Sequence, residues 1–334
     1  MINLETTYMG LQLKNPIIVS SSGLTNSVRK IKIIEEKGAG AVVLKSLFEE
    51  QITNEARHLI GKDPANVGYP EAEDYIQNYI KGNSVSNYLA LIKEAKEAVS
   101  IPVIASINCV SSSDWTQFAK EIEKAGADAI ELNAFIVPND RNMSSTDYEQ
   151  LYYDIFNAVK KEVNIPISMK LGIYFTNLFS LANRLNADGA DSLVLFNRFY
   201  EPDIDINEMK ITSAEVLSTA GDIRRSLRWV GMLSDKIKGI DISASTGIHS
   251  GEAAIKQLLA GAKTIQICST VYEHGFDQVT KLLEEITAWM NKKEFKSVDE
   301  FRGKLSYGNI PDSALYERAQ FMKYFSNNEK DVMI

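Results

Sequence analysis

An α/β fold of the (βα)8, or TIM-barrel, class is what this sequence predicts, and three observations predict it. Short β-branched runs alternate with longer segments of helical period along the chain. The short runs are apolar nearly throughout, as strands covered on both faces must be. Four helix ends carry one phrase, "EKGAGAVVL", "EKAGADAIEL", "NADGADSLVL" and "LAGAKTIQI", in which glycine stops a helix, a short turn follows and a strand begins.

In order, strands are predicted at 17–20, 41–45, 103–107, 129–133, 167–171, 192–196, 240–244 and 264–268. Helices are predicted at about 27–38, 84–99, 113–125, 145–163, 177–187, 213–236, 249–260 and 270–292, which makes eight βα units. "VSIPVIASI" and "VNIPISMKL" use proline as the stop instead of glycine. A doubly wound open sheet is the alternative; no G-x-G-x-x-G follows any strand, which counts against it. The connections 46–83 and 197–212 are too long for plain βα loops and are rich in Asn, Asp, Pro, Gly and aromatic residues. Such loops build sites at the strand C-termini of a barrel. Segment 1–16 is expected to close the barrel bottom. One domain is expected over 1–304, followed by a C-terminal helical extension, 305–334, packed on the barrel or partly mobile.

Composition bounds the function. A chain of 334 residues, 45% apolar and 24% charged, is ordinary for a soluble globular protein. A net charge of −8 argues against nucleic-acid and anionic-membrane partners, which need excess Lys and Arg. The opening "MINLETTYMG" has neither a basic nor an apolar leader region, and no apolar run is long enough to cross a bilayer. The expected location is the cytoplasm. Cys109 and Cys268 are the two cysteines, too few for a disulfide scaffold or a protein-held iron–sulfur cluster. His58, His249 and His274 share no metal-ligand spacing, so no metal site is expected.

The predicted strand ends carry Ser20, Ser21, Ser22 and Gly23; Lys45 and Ser46; Ser106 and Asn108; Asn133; Lys170; Asn197; Ser245, Thr246 and Gly247; and Ser269 and Thr270. This ring of hydroxyls, amides and lysines has almost no carboxylates, unlike a metal-dependent or glycosidase barrel. It suits a planar, anionic, hydrogen-bonding ligand. "SASTGIHSGEAA" and "ICSTVYEHG", after the last two strands, form a candidate phosphate site, with Gly247 allowing close backbone approach. Helix capping is the competing role for these Ser and Thr residues. Lys45 and Lys170 end apolar strands and must meet a counter-charge or an electron-rich ligand. A Schiff-base aldolase using Lys170 is the rival chemistry.

At these residues the chain resembles the dihydroorotate dehydrogenase family, through "LKNPIIVSSSG", "AGAVVLKS", "IELN", "ISMKL" and "STGIHSGEAAIKQLLAGAKTIQICST", over about residues 3–304. The resemblance implies a soluble, class 1-like FMN barrel of pyrimidine synthesis, with a dihydroorotate-like small-molecule substrate, a soluble electron acceptor and a homodimeric state. It places Ser21, Ser22, Gly23, Lys45 and Ser46 beside the flavin, and Lys170 at the edge where charge collects on reduction. Asn133 would face both flavin and substrate. Thr246, Gly247, Cys268 and Ser269 would hold the phosphate, and Asn66, Asn139 and Asn197 the substrate amides.

The departures concern proton transfer. The family places a catalytic Cys or Ser in a phrase like ELN-x-S-C-P-N, whereas this chain reads "ELNAFIVPND", with one extra residue and neither Cys nor Ser. Its "NSMGLPN" loop is here "ANVGYPEAED", a Gly-Gly pair is absent from 213–231, and Cys268 replaces a glycine. The base is therefore unassigned, with Cys109, Ser144 and Ser145, then Asp140 and Tyr69, as candidates, and Lys45 is the other residue expected to be catalytic. Three readings stand: a dihydroorotate-oxidising enzyme, an FMN-binding relative without that activity, and a flavin-independent lyase or aldolase.

Overall fold

The computed structural model describes residues 2–48, 70–108, 115–134, 136–198 and 201–317. Eight parallel strands close into a barrel: β3 (Ile17–Val19), β4 (Ala41–Val43), β6 (Val103–Asn108), β7 (Ala129–Asn133), β8 (Ile167–Leu171), β9 (Ser192–Leu195), β12 (Asp241–Ser245) and β13 (Thr264–Ile267). β13 pairs with β3, which closes the circle. Each predicted strand forms, within one or two residues of its expected bounds. β5 (Leu47–Phe48) pairs with the upper end of β6, as β4 does with the lower, so Lys45 and Ser46 interrupt what is otherwise one strand.

The helices on the outside are α1 (Val28–Glu36), α2 (Pro70–Ala98), α3 (Trp115–Lys124), α4 (Ser145–Lys160), α5 (Leu178–Ala187), α6 (Ile223–Lys236), α7 (Gly251–Ala260), α8 (Ser269–His274), α9 (Asp277–Lys292) and α10 (Ala314–Glu317). Among the described residues, none is long and apolar enough to cross a membrane. The helix–glycine–strand phrase works as its chemistry requires: Gly261 caps α7 with φ 115°, and its N–H returns to Gln257 and Leu258 carbonyls.

Three expectations are corrected. The second helix begins at Pro70, not 84, because proline at the first helical position leaves no N–H unpaired. The span 213–236 is helical only from Ile223, because Thr219 and Asp222 form a capping box around a short 3-10 turn at Ala220–Asp222. The span 270–292 is two helices, divided at Gly275, whose φ is 76°. In addition, the connection 197–212 is not all loop: β10 (Pro202–Asp205) and β11 (Lys210–Ser213) form an antiparallel hairpin. Pairing of Ile204 with Ile211 puts Pro202, Ile204, Ile211 and Ser213 on one face, and Ile206 and Met209 lie in the turn that joins the strands. That face and the turn are open to solvent, with Ile204 62%, Ile206 82%, Met209 88% and Ile211 68% exposed.

The main core lies between barrel and helices. A smaller cluster of Tyr8, Met9, Leu13, Ile18, Ala41, Val43, Ile104 and Ala129 fills the barrel bottom. It is delivered by the hairpin β1 (Thr6–Tyr8) and β2 (Leu11–Leu13). Tyr8 is fully buried and accepts a hydrogen bond from the Ser192 hydroxyl at 3.0 Å, and the Met9 N–H donates to Asp241 Oδ2 at 2.9 Å. At the other end, residues 303–317 lie over α6 and α7, through the Gly303 and Leu305 N–H groups donating to Leu258 and Leu259 carbonyls.

Above the apolar plug the barrel interior turns polar. Glu131, 1% exposed, faces Lys170, 7% exposed, with Nζ and Oε1 3.8 Å apart. Gln266 Nε2 donates to the other Glu131 oxygen at 2.6 Å, and Lys170 Nζ donates to Ser20 Oγ at 3.1 Å. Ser20 Oγ in turn donates to Gln266 Oε1 at 3.0 Å, which closes a four-residue ring. A buried charge left alone is far more costly than a buried pair. Glu131→Ala should therefore lower stability by roughly 3 kcal/mol, and adding Lys170→Met should recover part of that loss, as read from urea midpoints of the three proteins. A double variant no more stable than Glu131→Ala would show that the charges do not depend on each other.

Candidate functional site

The C-terminal rim of the barrel opens into a cleft of about 740 Å³. Its floor is Ser20, Ser21, Lys170 and Gln266, and its walls are Phe196 to Arg198, Val216 to Ser218, Ser245 to Ile248, and Ile267 to Ser269 with Tyr272. The walls stand where the parallel register brings them, because β12 runs between β9 and β13 and the strand ends step by only one residue from each to the next. The site is thus made by closure of the barrel, with its sequence-distant segments joined by the ladder.

Several predicted residues meet in this cleft. Ser21, Lys170, Ser245, Thr246, Gly247, Cys268, Ser269 and Asn197 all line it. Asn133 stands directly behind Asn197, whose Nδ2 donates to Asn133 Oδ1 at 2.7 Å. Ser46 is linked to the floor by hydroxyls: its Oγ is 3.0 Å from Ser21 Oγ and 2.7 Å from Ser106 Oγ, while its N–H donates to Ser21 at 2.8 Å. Ser22 caps the 3-10 turn Gly23–Thr25. A Cβ on Gly23 would come within 2.7 Å of the Tyr272 hydroxyl in the cleft wall, so a side chain there would displace the end of the Tyr272 ring. Lys45 is half-buried at the strand interruption, its N–H donating to the Thr25 carbonyl.

The glycine at 247 has a different cause from the expected one. A Cβ there would collide with the backbone at Ile223, and φ is 79°. The close approach is to the first turn of α6, and it is required whether or not a ligand is bound. Thr246 also has a left-handed φ of 74°, and its Oγ1 donates to the Phe196 carbonyl at 2.9 Å. Thr270 is buried with its Oγ1 unpartnered, while the Ser218 N–H donates to Ser269 Oγ at 2.9 Å. Burial pushes the Cys268 thiol up from its usual range, against the lowering effects of a hydrogen bond with Ser22 and the charge of Lys170.

Other candidates lie elsewhere. Ser144 is an exposed N-cap of α4, its hydroxyl shared with Asp147 in a capping box. Ser145 lines a second cleft, of about 1020 Å³, with Ile136, Asp140 and Tyr148. Asn139 is exposed on the loop after β7. Asn66, Tyr69, Cys109 and Phe135 lie outside the described residues. Sequence reasoning missed Glu131 and Gln266, and with them the fact that the strand interiors do hold a carboxylate. The signal was available: Glu131 is two residues before Asn133 and so shares its inward face. It also missed Ser218 and Arg198, which sit outside any strand; Arg198 pairs with Asp222 at 3.5 Å and donates to the Glu215 carbonyl at 2.7 Å.

The chain can be set beside known proteins. It is 29% identical over 315 residues to the catalytic subunit of dihydroorotate dehydrogenase B (NAD(+)) of Methanocaldococcus jannaschii, covering 90% of this chain and 97% of that one. The corresponding subunit of Thermoplasma volcanium is 28% identical over 315 residues, covering 91% and 98%. Subunit PreA of the NAD-dependent dihydropyrimidine dehydrogenase of Escherichia coli K12 is 24% identical over 326 residues, covering 92% and 78%. These relatives are dehydrogenases, which supports oxidoreductase chemistry. A sequence model of the dihydroorotate dehydrogenase family matches residues 3–290, which is most of the chain, and with the closed barrel and its polar mouth this makes the protein a member of the dihydroorotate dehydrogenase family.

Proposed function

We propose that this chain is an FMN-dependent oxidoreductase of the cytoplasm that oxidises dihydroorotate to orotate, or a related cyclic amide, and passes the electrons to a soluble acceptor. The observation that carries the reading is Lys170, a buried cation held by Glu131 and Ser20 in the floor of a hydroxyl-lined cleft. With a carboxylate and a hydroxyl facing Nζ, the side chain is built as a fixed charge, which favours this reading over a nucleophilic lysine.

The residues present fit FMN. Ser269 already accepts the Ser218 N–H, so its own proton is available to an anion, and the orphaned Thr270 Oγ1 lies one residue on. These two, with Ser245, Thr246, Gly247 and Cys268, would hold the phosphate at one end. Ser21, Ser22, Gly23, Lys45 and Ser46 would hold the ring system on the floor beside Lys170. Bound FMN supplies a hydride acceptor. Lys170 contributes a cation where negative charge collects, in a site whose low dielectric strengthens the effect. The Asn133–Asn197 pair spends one donor and one acceptor on itself, leaving Asn133 Nδ2 and Asn197 Oδ1 as a complementary pair for a ring amide. Asn66 and Asn139 complete the proposed substrate set, from the loops.

A second reading has its own observation. Where the family phrase carries Ser and Cys, this chain has Phe135 and Ile136, after a buried Ala134. None of these accepts a proton, and the Ser144 hydroxyl is engaged in capping. This favours an FMN reductase acting on a substrate whose oxidation needs no base at that point. The apolar face of the β10–β11 hairpin supports a homodimer, because an amphipathic hairpin with its apolar side in water is a surface awaiting a partner.

Three measurements test these statements. Purified protein should be yellow, and anaerobic excess dihydroorotate should bleach it within seconds to minutes; flavin that stays oxidised would favour the second reading, and colourless protein that takes up no FMN would overturn both. Lys170→Met should weaken FMN binding or lower the flavin potential, and a variant with both unchanged would remove Lys170 from the site. Ile204→Asp combined with Ile211→Asp should convert a dimer to a monomer by light scattering; wild-type protein that is already monomeric would overturn the homodimer.

A further inference from the structure

Behind the cleft wall lies a line of three polar side chains to which the flavin reading assigns no role. Ser218 is 5% exposed and lines the cleft. Its hydroxyl is 3.2 Å from Nε2 of His249, whose Nδ1 is 3.1 Å from Oε2 of Glu273. The Gly247 N–H points at the same Ser218 oxygen from 3.3 Å. Gln278 Nε2 donates to the His249 carbonyl oxygen at 3.0 Å, which fixes the point from which the ring projects.

Counting protons along the line gives it two states. A carboxylate only accepts, so the His249 Nδ1 facing Glu273 carries a hydrogen. In the neutral ring Nε2 must then accept, and it takes the Ser218 hydroxyl proton. Ser218 then presents only lone-pair density to the cleft, which repels an anion. When the ring is an imidazolium, Nε2–H donates to Ser218 Oγ, and the hydroxyl proton is released to turn into the cleft. The same proton places a positive charge behind the wall, balanced by Glu273.

We propose that Ser218 binds the phosphate of a phosphate monoester in the cleft and that His249, held by Glu273, is the positioning residue that takes up a proton as the phosphate binds. The proposal rests on the FMN reading and names the element that recognises the phosphate. The elements around the ring carry other charged groups, each with a partner of its own. α8 offers Glu273 and His274, 3.8 Å from each other. α7 and α9 offer Glu252, paired with Lys256, and Glu285, which accepts the Gly251 N–H. The turn before α6 offers Asp222, paired with Arg198. Glu273 is the one in contact with the ring.

The sign follows from linkage: a bound state that holds an extra proton loses affinity as pH rises. FMN affinity of the full-length protein, measured by flavin fluorescence, should fall roughly tenfold between about pH 6 and 8.5, relative to a His249→Gln variant. The glutamine amide donates to Ser218 at every pH, and both proteins share the phosphate's own titration, so their difference reads His249 alone. Calorimetry in two buffers of different ionisation enthalpy should show proton uptake with FMN in wild type that is absent in His249→Gln and Ser218→Ala. Riboflavin, which has no phosphate, should bind without this uptake. Equal pH profiles and equal uptake in wild type and both variants would overturn the proposal while leaving FMN binding intact. Failure of wild type to bind FMN at any pH would overturn the FMN reading and this proposal together. Should His249→Gln fail to fold by circular dichroism, Ser218→Ala against wild type decides the matter alone.

Discussion

A lysine ammonium with almost no solvent around it can persist only opposite a counter-charge, and the mouth of this barrel is organised around that requirement. Glu131 supplies the charge from the neighbouring strand, Gln266 donates to one of its oxygens, and Ser20 accepts one hydrogen bond from the ammonium. Because β7, β8, β13 and β3 each contribute one member, the ring ties together opposite sides of the barrel. The interior above it can therefore be polar without being loose. Below it the Tyr8 plug keeps water from the carboxylate.

This arrangement divides the site by rigidity. Residues on strand ends, such as Lys170, Ser245 and the Asn133–Asn197 pair, are held by the ladder or by packed neighbours. Residues on the loop after β7, where the family carries its proton-transfer residue, are mostly exposed. In the proposed function, strand-held features grip a flat ring and its phosphate, and loop-borne features select a substrate. A chain can replace the second set at little cost in stability and keep the first. The contrast between the strand-end residues assigned to FMN in that proposal and the loop phrase "ELNAFIVPND" has that physical basis.

The fold was legible because its signals are repeated. Every strand was a buried apolar run, and every second helix end carried the same glycine phrase, so the barrel did not depend on any single reading. The misreadings arose where one signal had two meanings. Gly82 and Asn83 have the chemistry of a loop but lie inside α2, and Pro202 to Asp205 combines the residues of a loop with the alternation of a strand. Gly247 carries two meanings at once, since a glycine before a helix suits an anion site and this one also meets the backbone at Ile223. The Ser218–His249–Glu273 line was illegible for another reason: its members come from three separate segments and meet only in the folded chain.

The hairpin at the start of the chain has a consequence for synthesis. Tyr8, Met9 and Thr6 leave the ribosome well before their partners Ser192, Asp241 and Lys263. β3 likewise waits for β13 before the circle can close. Until then the nascent chain carries an unpaired edge at each end of a growing sheet, together with the apolar side chains destined for the bottom plug. Contacts of such long sequence separation form slowly. This protein should thus be most vulnerable to aggregation, and most in need of a chaperone, until β13 has left the ribosome.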